Sequence, residues 1–218
     1  MPKGTAEDFV ADLDCFFILK NEQEIDPTTQ EKFANDLTRD HPFCVGLELG
    51  NAVLPQINFA DLNAEGNVWP RFIKTQSVCV RGTDLSNKIR PFKLQDMIHY
   101  SKYLRFHMEE KLPQFLKEDE NDPEALKSTC SWAMRLLLRS GYEICMFREN
   151  RWTNDLYLSY ETLSKFYPSQ TDLFRNTLHL SLNPVSNVAE FENIVSQYRP
   201  WIYQEIIQHL DMESSYKY

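Results

Sequence analysis

The spacing of apolar residues beyond Pro91 constrains the fold of this chain most. Long segments there repeat apolar residues every three or four positions, which is the period of a helix that buries one face. They cover residues 94–117, 124–146, 155–167, 172–182 and 188–210. Gly141 predicts an end or an interruption within the second segment. The prolines that predict breaks in the later segments are Pro168, Pro184 and Pro200. The sequence therefore predicts an all-helical C-terminal domain over residues 91–218.

The residues before position 91 carry strand patterns and one helix pattern. Residues 9–19 read FVADLDCFFIL, in which acids alternate with apolar residues as on a strand. Residues 27–39 begin with a proline and a threonine cap and predict a short helix. Residues 43–49 predict a second strand that ends in a turn at Gly50 and Asn51. Apolar residues that suggest further short strands are Val53, Ile57, Phe59, Phe72, Ile73, Val78 and Val80. The predicted fold class is α+β, with a small mixed β-sheet core over residues 1–90.

Composition narrows the class of partner and the compartment. The chain of 218 residues has a formal net charge of -9 and a pI of about 5.1, so a broad attraction to nucleic acid is not expected. Its cysteines are isolated in the sequence, which is typical of a protein with free thiols in a reducing compartment. No run approaches the roughly 18 apolar residues of a membrane span. We therefore expect a cytoplasmic protein that binds small molecules rather than a membrane or nucleic acid, and its oligomeric state stays open.

Asp12 and Asp14 are the residues whose spacing points to chemistry. Two aspartates two positions apart on a strand lie side by side on one face, where they can share a divalent cation. Mg²⁺ held in this way orients a triphosphate and stabilises the charge that develops on pyrophosphate. An ordinary strand with one polar face would show the same alternation, so the pair by itself predicts a metal site only weakly.

Residues 3–19, KGTAEDFVADLDCFFIL, resemble the latter part of the signature of nucleotidyltransferases, with Ala11 at the usual serine position and Asp12-Leu13-Asp14 after it. Further stretches resemble the helical tail of bacterial nucleotidyltransferase-domain proteins. They are residues 76–85, 103–107, 132–157, 167–168 and 178–184. These proteins belong to the DNA polymerase β superfamily and are similar to the aminoglycoside nucleotidyltransferases. The resemblance covers nearly the whole chain, and the aspartate pair is its chemically specific part.

The resemblance implies a magnesium-dependent enzyme. The expected reaction is transfer of a nucleoside monophosphate from ATP or another nucleoside triphosphate to a hydroxyl of a small, aminoglycoside-like molecule. Asp12 and Asp14 would bind Mg²⁺, and a third carboxylate on a neighbouring strand would serve as metal ligand or as general base. Glu48 is the preferred candidate for that carboxylate, Asp61 is the second, and an exposed strand carboxylate is the other interpretation of Glu48.

The sequence departs from the family pattern ahead of Asp12. The family has a Gly-Ser turn that presents backbone amides and a hydroxyl to the β- and γ-phosphates, and this turn does not precede the triplet that begins at Gly4. Gly4 and Thr5 supply a flexible backbone and a hydroxyl, which makes them the candidate phosphate-binding residues. The departure favours an alternative class as well, a catalytically reduced protein that binds a nucleotide or a partner chain, as an antitoxin does.

The helical half offers a polar segment around residues 148–155. Arg148 is a candidate phosphate ligand, Trp152 could stack on a base or sugar, and Asp155 could bind an acceptor amine or hydroxyl. The structural interpretation of the same segment is a helix cap at Thr153 or Asp155 with surface arginines.

Arg135 and Arg139 lie four residues apart on one helical face. Two phosphate-binding arginines would be spaced in this way, but exposed charges at this spacing are common, so a structural role is favoured. The histidines show no metal-ligand spacing, and Tyr100, Tyr103 and Phe106 recur at helical spacing, which predicts core positions.

Overall fold

The computed structural model of the chain describes residues 11–21, 26–41, 44–60 and 69–210, with the backbone alone described at 11–14, 38 and 44–49. The chain divides into two compact units, Met1–Pro91 and Phe92–Tyr218. Most of the described residues are helical, and the described sheet has two parallel strands. This content is compatible with an α+β fold. The expectation of a mixed sheet is wrong for the described part of the chain, since its strand pair is parallel.

The first unit contains a β–α–β arrangement. Strand β1 (Ala11–Leu19) pairs in parallel with strand β2 (Cys44–Val53), and helix α1 (Pro27–Asp40) lies between them in the chain. Parallel strands need such a crossover because the chain must return to the same end of the sheet before the second strand begins.

Helix α1 begins at an aspartate cap rather than at the expected threonine cap. The carboxylate of Asp26 accepts hydrogen bonds from the backbone N–H groups of Thr28 (3.3 Å) and Thr29 (3.1 Å). The hydroxyl of Thr29 donates to the same carboxylate at 2.7 Å, and this bond lowers the pKa of Asp26. Pro27 then occupies the first helical position, where its missing N–H costs nothing.

Strand β2 continues through Gly50 and Asn51, so the expected turn there is wrong. Gly50 is the register partner of Phe16 on β1. A Cβ atom at position 50 would lie 2.5 Å from the ring of Phe16. The glycine is therefore explained by close packing under an aromatic ring and not by a change of chain direction.

Between Val53, which ends β2, and Leu85, the described residues form helical turns and irregular segments where short strands were expected. Residues Leu54–Gln56 and Ser86–Lys88 form 3₁₀ turns, and Phe72 and Ile73 lie in helix α2 (Trp69–Thr75). Val78 and Val80 belong to no strand, and they are 86% and 94% exposed. Their branched side chains favour strands only when a neighbouring strand packs against them.

The described part of the second unit is helical, which confirms the expectation for the C-terminal half, but the helical segment predicted over residues 94–117 is divided into several elements. Its α-helices are α3 (Tyr100–Phe106), α4 (Leu112–Glu118), α5 (Pro123–Glu149), α6 (Leu156–Phe166), α7 (Thr171–Leu182) and α8 (Val188–Leu210). A 3₁₀ turn at Leu94–Met97 precedes α3, a π-helical turn at His107–Lys111 joins α3 to α4, and Pro168–Gln170 forms a 3₁₀ turn before α7. Within the described ranges, none of the helices has both the length and the apolar character of a membrane span.

Helix α5 is the centre of the second unit, and α3, α4, α6, α7 and α8 all contact it. It begins at Asp122, whose carboxylate accepts from the N–H groups of Glu124 (3.0 Å) and Ala125 (3.2 Å). It ends at Asn150, which adopts the left-handed conformation with φ of 46°. Side chains with no exposure, from α5 itself and from the helices around it, form one core. Examples are Leu104, Leu137, Leu138, Leu163, Phe174, Phe191 and Tyr198.

Gly141 does not end or interrupt α5, which corrects the expectation from its sequence. It lies buried inside the helix, where a Cβ atom would be 2.6 Å from the hydroxyl of Tyr198 and 3.1 Å from Leu163. The absent side chain lets α6 and α8 approach α5 closely.

Pro200 does not break α8, so this expected boundary is wrong. Pro200 is exposed, whereas Tyr198 and Ile202 on either side of it are completely buried. The burial of these side chains outweighs the local cost of a missing backbone donor. The expected breaks near Pro168 and Pro184 are confirmed, because α6 ends at Phe166 and α7 at Leu182.

Candidate functional site

The two strands of the first unit place three acidic residues on one face of their sheet. The backbone register pairs Asp12 with Gly46 and Asp14 with Glu48. Register partners on neighbouring strands belong to the same face, and so do residues two apart on one strand. Asp12, Asp14 and Glu48 therefore share a face, with Asp14 and Glu48 on strands that run roughly 4.8 Å apart.

A register shift between Ala11 and Asp12 is what brings Glu48 to this face. Ala11 pairs with Cys44, and Asp12 pairs with Gly46, so β2 has one additional residue at this point. If the pairing of Ala11 with Cys44 continued residue by residue along both strands, Glu48 would pair with Cys15. Glu48 would then lie on the opposite face from Asp14. The local irregularity thus decides which residues can act together.

The same face carries an aromatic cluster next to the acidic residues. Phe16 follows Asp14 by two positions, and its ring lies 4.7 Å from that of Phe72 and 5.4 Å from that of Trp69 on α2. These contacts fix the second half of β1. The apolar run after Asp14 is not fully buried, since Phe17 is 40% exposed and its neighbours in the run are partly buried. The strand is therefore held mainly through one face.

The acidic residues lie within the strands and not beyond their carboxyl ends. Asp12 and Asp14 are the second and fourth residues of β1 as the structure bounds it. Nucleotide sites of open doubly wound sheets lie in a crevice at the carboxyl ends of the strands. The arrangement here is different, a carboxylate group on a sheet face.

Several predicted site residues fall outside the described part of the chain. Gly4, Thr5 and Asp61 all do, so their predicted roles stay predictions. Among the side chains that the structure describes, no three of His, Cys, Asp and Glu come together as metal ligands. The side chains of Asp12, Asp14 and Glu48 are not among those described.

Arg148 lies in the last turn of α5 and packs on aromatic rings. Its guanidinium carbon is 5.1 Å from the ring centroid of Phe166 and 5.7 Å from that of Tyr167. These cation–π contacts hold the end of α5 against the end of α6. The role of Arg148 as a phosphate ligand stays a prediction, and its described contacts are those of a packing residue.

The segment after α5 forms a helix cap, which is the structural interpretation of its sequence. The carboxylate of Asp155 accepts from the N–H of Leu158 at 2.9 Å, and the hydroxyl of Thr153 accepts from the N–H of Asp155 at 3.1 Å. The hydroxyl of Tyr142 donates to the carbonyl of Arg151 at 2.8 Å, and Trp152 packs against the buried cluster of Met97, Tyr142 and Met146.

Glu143 is a buried acid that the sequence pattern did not single out. It is 1% exposed, and its carboxylate accepts from the backbone N–H groups at the start of α3. The donors are His99 (2.7 Å), Tyr100 (2.9 Å) and Ser101 (2.7 Å). Burial raises the pKa of Glu143, and the three hydrogen bonds oppose that rise. The signal available in the sequence was a single acid within the apolar run of α5.

The comparisons with known proteins give no relative for this chain. No family model, no curated protein and no solved structure matches it.

Proposed function

We propose that the chain binds a nucleoside triphosphate with Mg²⁺ at Asp12 and Asp14 and transfers the nucleoside monophosphate to a hydroxyl of a small molecule. The observation that supports this most is the register pairing of Asp14 with Glu48. Nucleotidyl transfer at an aspartate pair needs a third carboxylate beside it, and the neighbouring parallel strand supplies one on the same face.

The donor set suits Mg²⁺. Carboxylate oxygens are the hard ligands that this ion prefers, and it commonly takes one or two from the protein with the rest from phosphates and water. Like charges directly opposite each other on paired strands are also destabilising, and Asp14 and Glu48 are such a pair. A divalent cation at this face would remove that repulsion.

Each carboxylate has a distinct task in the proposed reaction. Mg²⁺ bound there would neutralise charge on the triphosphate and on the departing pyrophosphate. Asp12 and Asp14 would hold the ion that orients the triphosphate. Glu48 would either take the proton of the acceptor hydroxyl or join the aspartates as a ligand, in which case that proton passes to water. The hydroxyl oxygen forms a bond to the α-phosphorus, the bond from that phosphorus to the bridging oxygen breaks, and pyrophosphate leaves.

The first test uses Asp12→Asn, which preserves size and removes one negative charge. Calorimetry with ATP and Mg²⁺ measures binding, and a pyrophosphate-release assay with aminoglycoside-class acceptors measures transfer. We expect loss of magnesium-dependent release by at least about a hundredfold with little change in the melting temperature. Asp172→Asn, an exposed acid on α7, is the matched control.

Two outcomes redirect the proposal. Release that persists in Asp12→Asn contradicts the assignment of this residue. Tight binding of ATP with Mg²⁺ by the unmodified chain, without release for any acceptor tried, supports the alternative of a catalytically reduced nucleotide-binding protein.

A further inference from the structure

The helical unit contains a pocket around Arg135 and Arg139, the arginine pocket. It shares no residue with the carboxylate face, which is formed by Asp12, Asp14 and Glu48. Its volume is about 510 Å³, within the range of small-molecule sites. One face of α5 forms its main wall, and α3 and the residues after α7 complete it. Side chains that line it include Tyr100, Lys127, Trp132, Arg135, Arg139 and Pro184.

Two positive charges in this pocket are not balanced by any side chain that the structure describes. The ammonium of Lys127 pairs with the carboxylate of Glu124 at 2.7 Å, so these two charges cancel. Arg135 and Arg139 form no ion pair with any described residue. The chain as a whole has a net charge of -9, so these arginines form a local exception to its acidic character.

Arg139 is held in a position that suits a ligand. Its guanidinium carbon lies 5.4 Å from the ring centroid of Tyr100, which restricts the plane of the group. Its Nε is buried and has no hydrogen-bond partner among the described residues. Because Nε is closed to solvent, a ligand in the pocket would meet the terminal nitrogens of this guanidinium.

Both aromatic walls are fixed before any ligand arrives. Tyr100 stands at the start of α3, where Glu143 accepts from its backbone N–H, and its hydroxyl donates to Asn154 at 2.9 Å. Trp132 meets the rings of His107 at 5.6 Å and Phe115 at 5.2 Å, both edge to face. Fixed walls lower the entropy lost on binding.

We propose that this pocket binds a small phosphomonoester that carries an aromatic or apolar group. A phosphomonoester has a charge close to −2 at neutral pH, which matches the two unbalanced guanidinium groups, and its oxygens accept paired N–H bonds from arginine. A carboxylate or a sulfate ester would neutralise one of the two charges. Trp132, Tyr100 and Leu136 provide the surface for the organic part.

The test compares three probes by calorimetry without Mg²⁺, so that it reports on this pocket independently of the carboxylate site. The probes are phenyl phosphate, phenyl sulfate and inorganic phosphate. We expect phenyl phosphate to bind about tenfold or more tightly than phenyl sulfate, which has the same shape and one charge less, and more tightly than inorganic phosphate, which lacks the ring. Added salt should weaken the binding.

Variants locate the binding. Arg135→Gln and Arg139→Gln should each weaken phenyl phosphate by about tenfold or more, and Arg175→Gln, an exposed arginine on α7, should leave it unchanged. If Arg139→Gln unfolds because of its contact with Tyr100, Arg135→Gln decides, since Arg135 is exposed. The proposal is overturned by any of three results: no binding of phenyl phosphate, equal binding of phenyl sulfate, or equal losses in Arg135→Gln and Arg175→Gln.

Discussion

The two units of this chain differ in how deeply their side chains are buried. In the helical unit Leu104, Phe174 and Tyr198 have no exposed surface, and they belong to one continuous cluster around α5. In the first unit the buried apolar residues that the structure describes retain 3–9% exposure. They are Ala52, Ile57, Ile73, Leu85 and Ile89. The candidate site of each unit reflects this difference.

The carboxylate face places like charges together on a two-stranded sheet. The arginine pocket lies along the central helix α5, and its aromatic side chains are held by other contacts. Sites on rigid elements hold their geometry without a ligand. A face of adjacent carboxylates gains stability when a cation binds. We therefore expect the first unit to depend on its ligand for stability more than the second does.

Removal of a buried aromatic ring should show the largest difference between the units in the free energy of unfolding. Phe174 is fully buried, 5.7 Å from the ring of Tyr198 and 5.1 Å from that of Trp201. We expect Phe174→Ala to lower the free energy of unfolding by about 3–5 kcal/mol. Phe72→Ala in the first unit removes a partly buried ring and should cost about 1–2 kcal/mol. Urea unfolding followed by far-ultraviolet circular dichroism measures both, and equal losses would show that burial does not distinguish the units.

The sequence predicted the helical unit well because its signal is redundant. Each long helix repeats its apolar period over several turns, so one misleading residue does not hide the pattern. The helix breaks predicted at Gly141 and Pro200 were wrong, because contacts with residues outside the local sequence decide the structure at both positions. For Gly141 that contact is the hydroxyl of Tyr198. For Pro200 the burial of its neighbours overrides the local preference.

The first unit was harder to predict after β2, because the elements there are short. Val78 and Val80 have strand-forming side chains without a partner strand in the described sheet. The i and i+2 spacing of Asp12 and Asp14 was visible in the sequence. The pairing of Glu48 with Asp14 depends on a register shift that no spacing rule contains. The arginine pocket needed coordinates too, because Tyr100 and Arg139 come from different helices.

Exchange of the buried acid tests the rigidity of the pocket. In Glu143→Gln one acceptor oxygen becomes an NH₂ group, which would meet a backbone N–H at the start of α3. We expect a loss of about 1–3 kcal/mol in the free energy of unfolding, smaller than that of Phe174→Ala, together with weaker binding of phenyl phosphate. Glu149→Gln, on the same helix and paired with Lys165 at its surface, is the control. A variant as stable as the control would contradict the role assigned to Glu143.

The pH dependence of this residue has a defined sign. Burial raises the pKa of Glu143 above its ordinary value of 4.5, so the folded chain keeps this proton at a pH where the unfolded chain releases it. Its contribution to stability is therefore fully present below pH 4.5 and is lost as the pH rises through the folded pKa. Only Glu149→Gln retains Glu143. The unfolding free energy of Glu143→Gln minus that of Glu149→Gln should therefore rise as the pH rises through the folded pKa of Glu143.

The smallest expected effect comes from the helix caps, which are chemically alike in the two units. Asp26 and Asp122 each precede a proline and accept two backbone N–H bonds. Asp122→Ala should lower the free energy of unfolding by about 1 kcal/mol, and Asp122→Asn should retain most of the stability because asparagine caps equally well. Asp26→Ala should destabilise α1 in the same direction.

Hydrogen exchange resolved by segment measures each helix separately. Since α5 is the centre of its unit, protection lost in Asp122→Ala should extend to α6, α7 and α8, whereas α1 in the first unit contacts mainly β2. Loss confined to the first turn of α5 would show that the helical core does not depend on how its central helix begins.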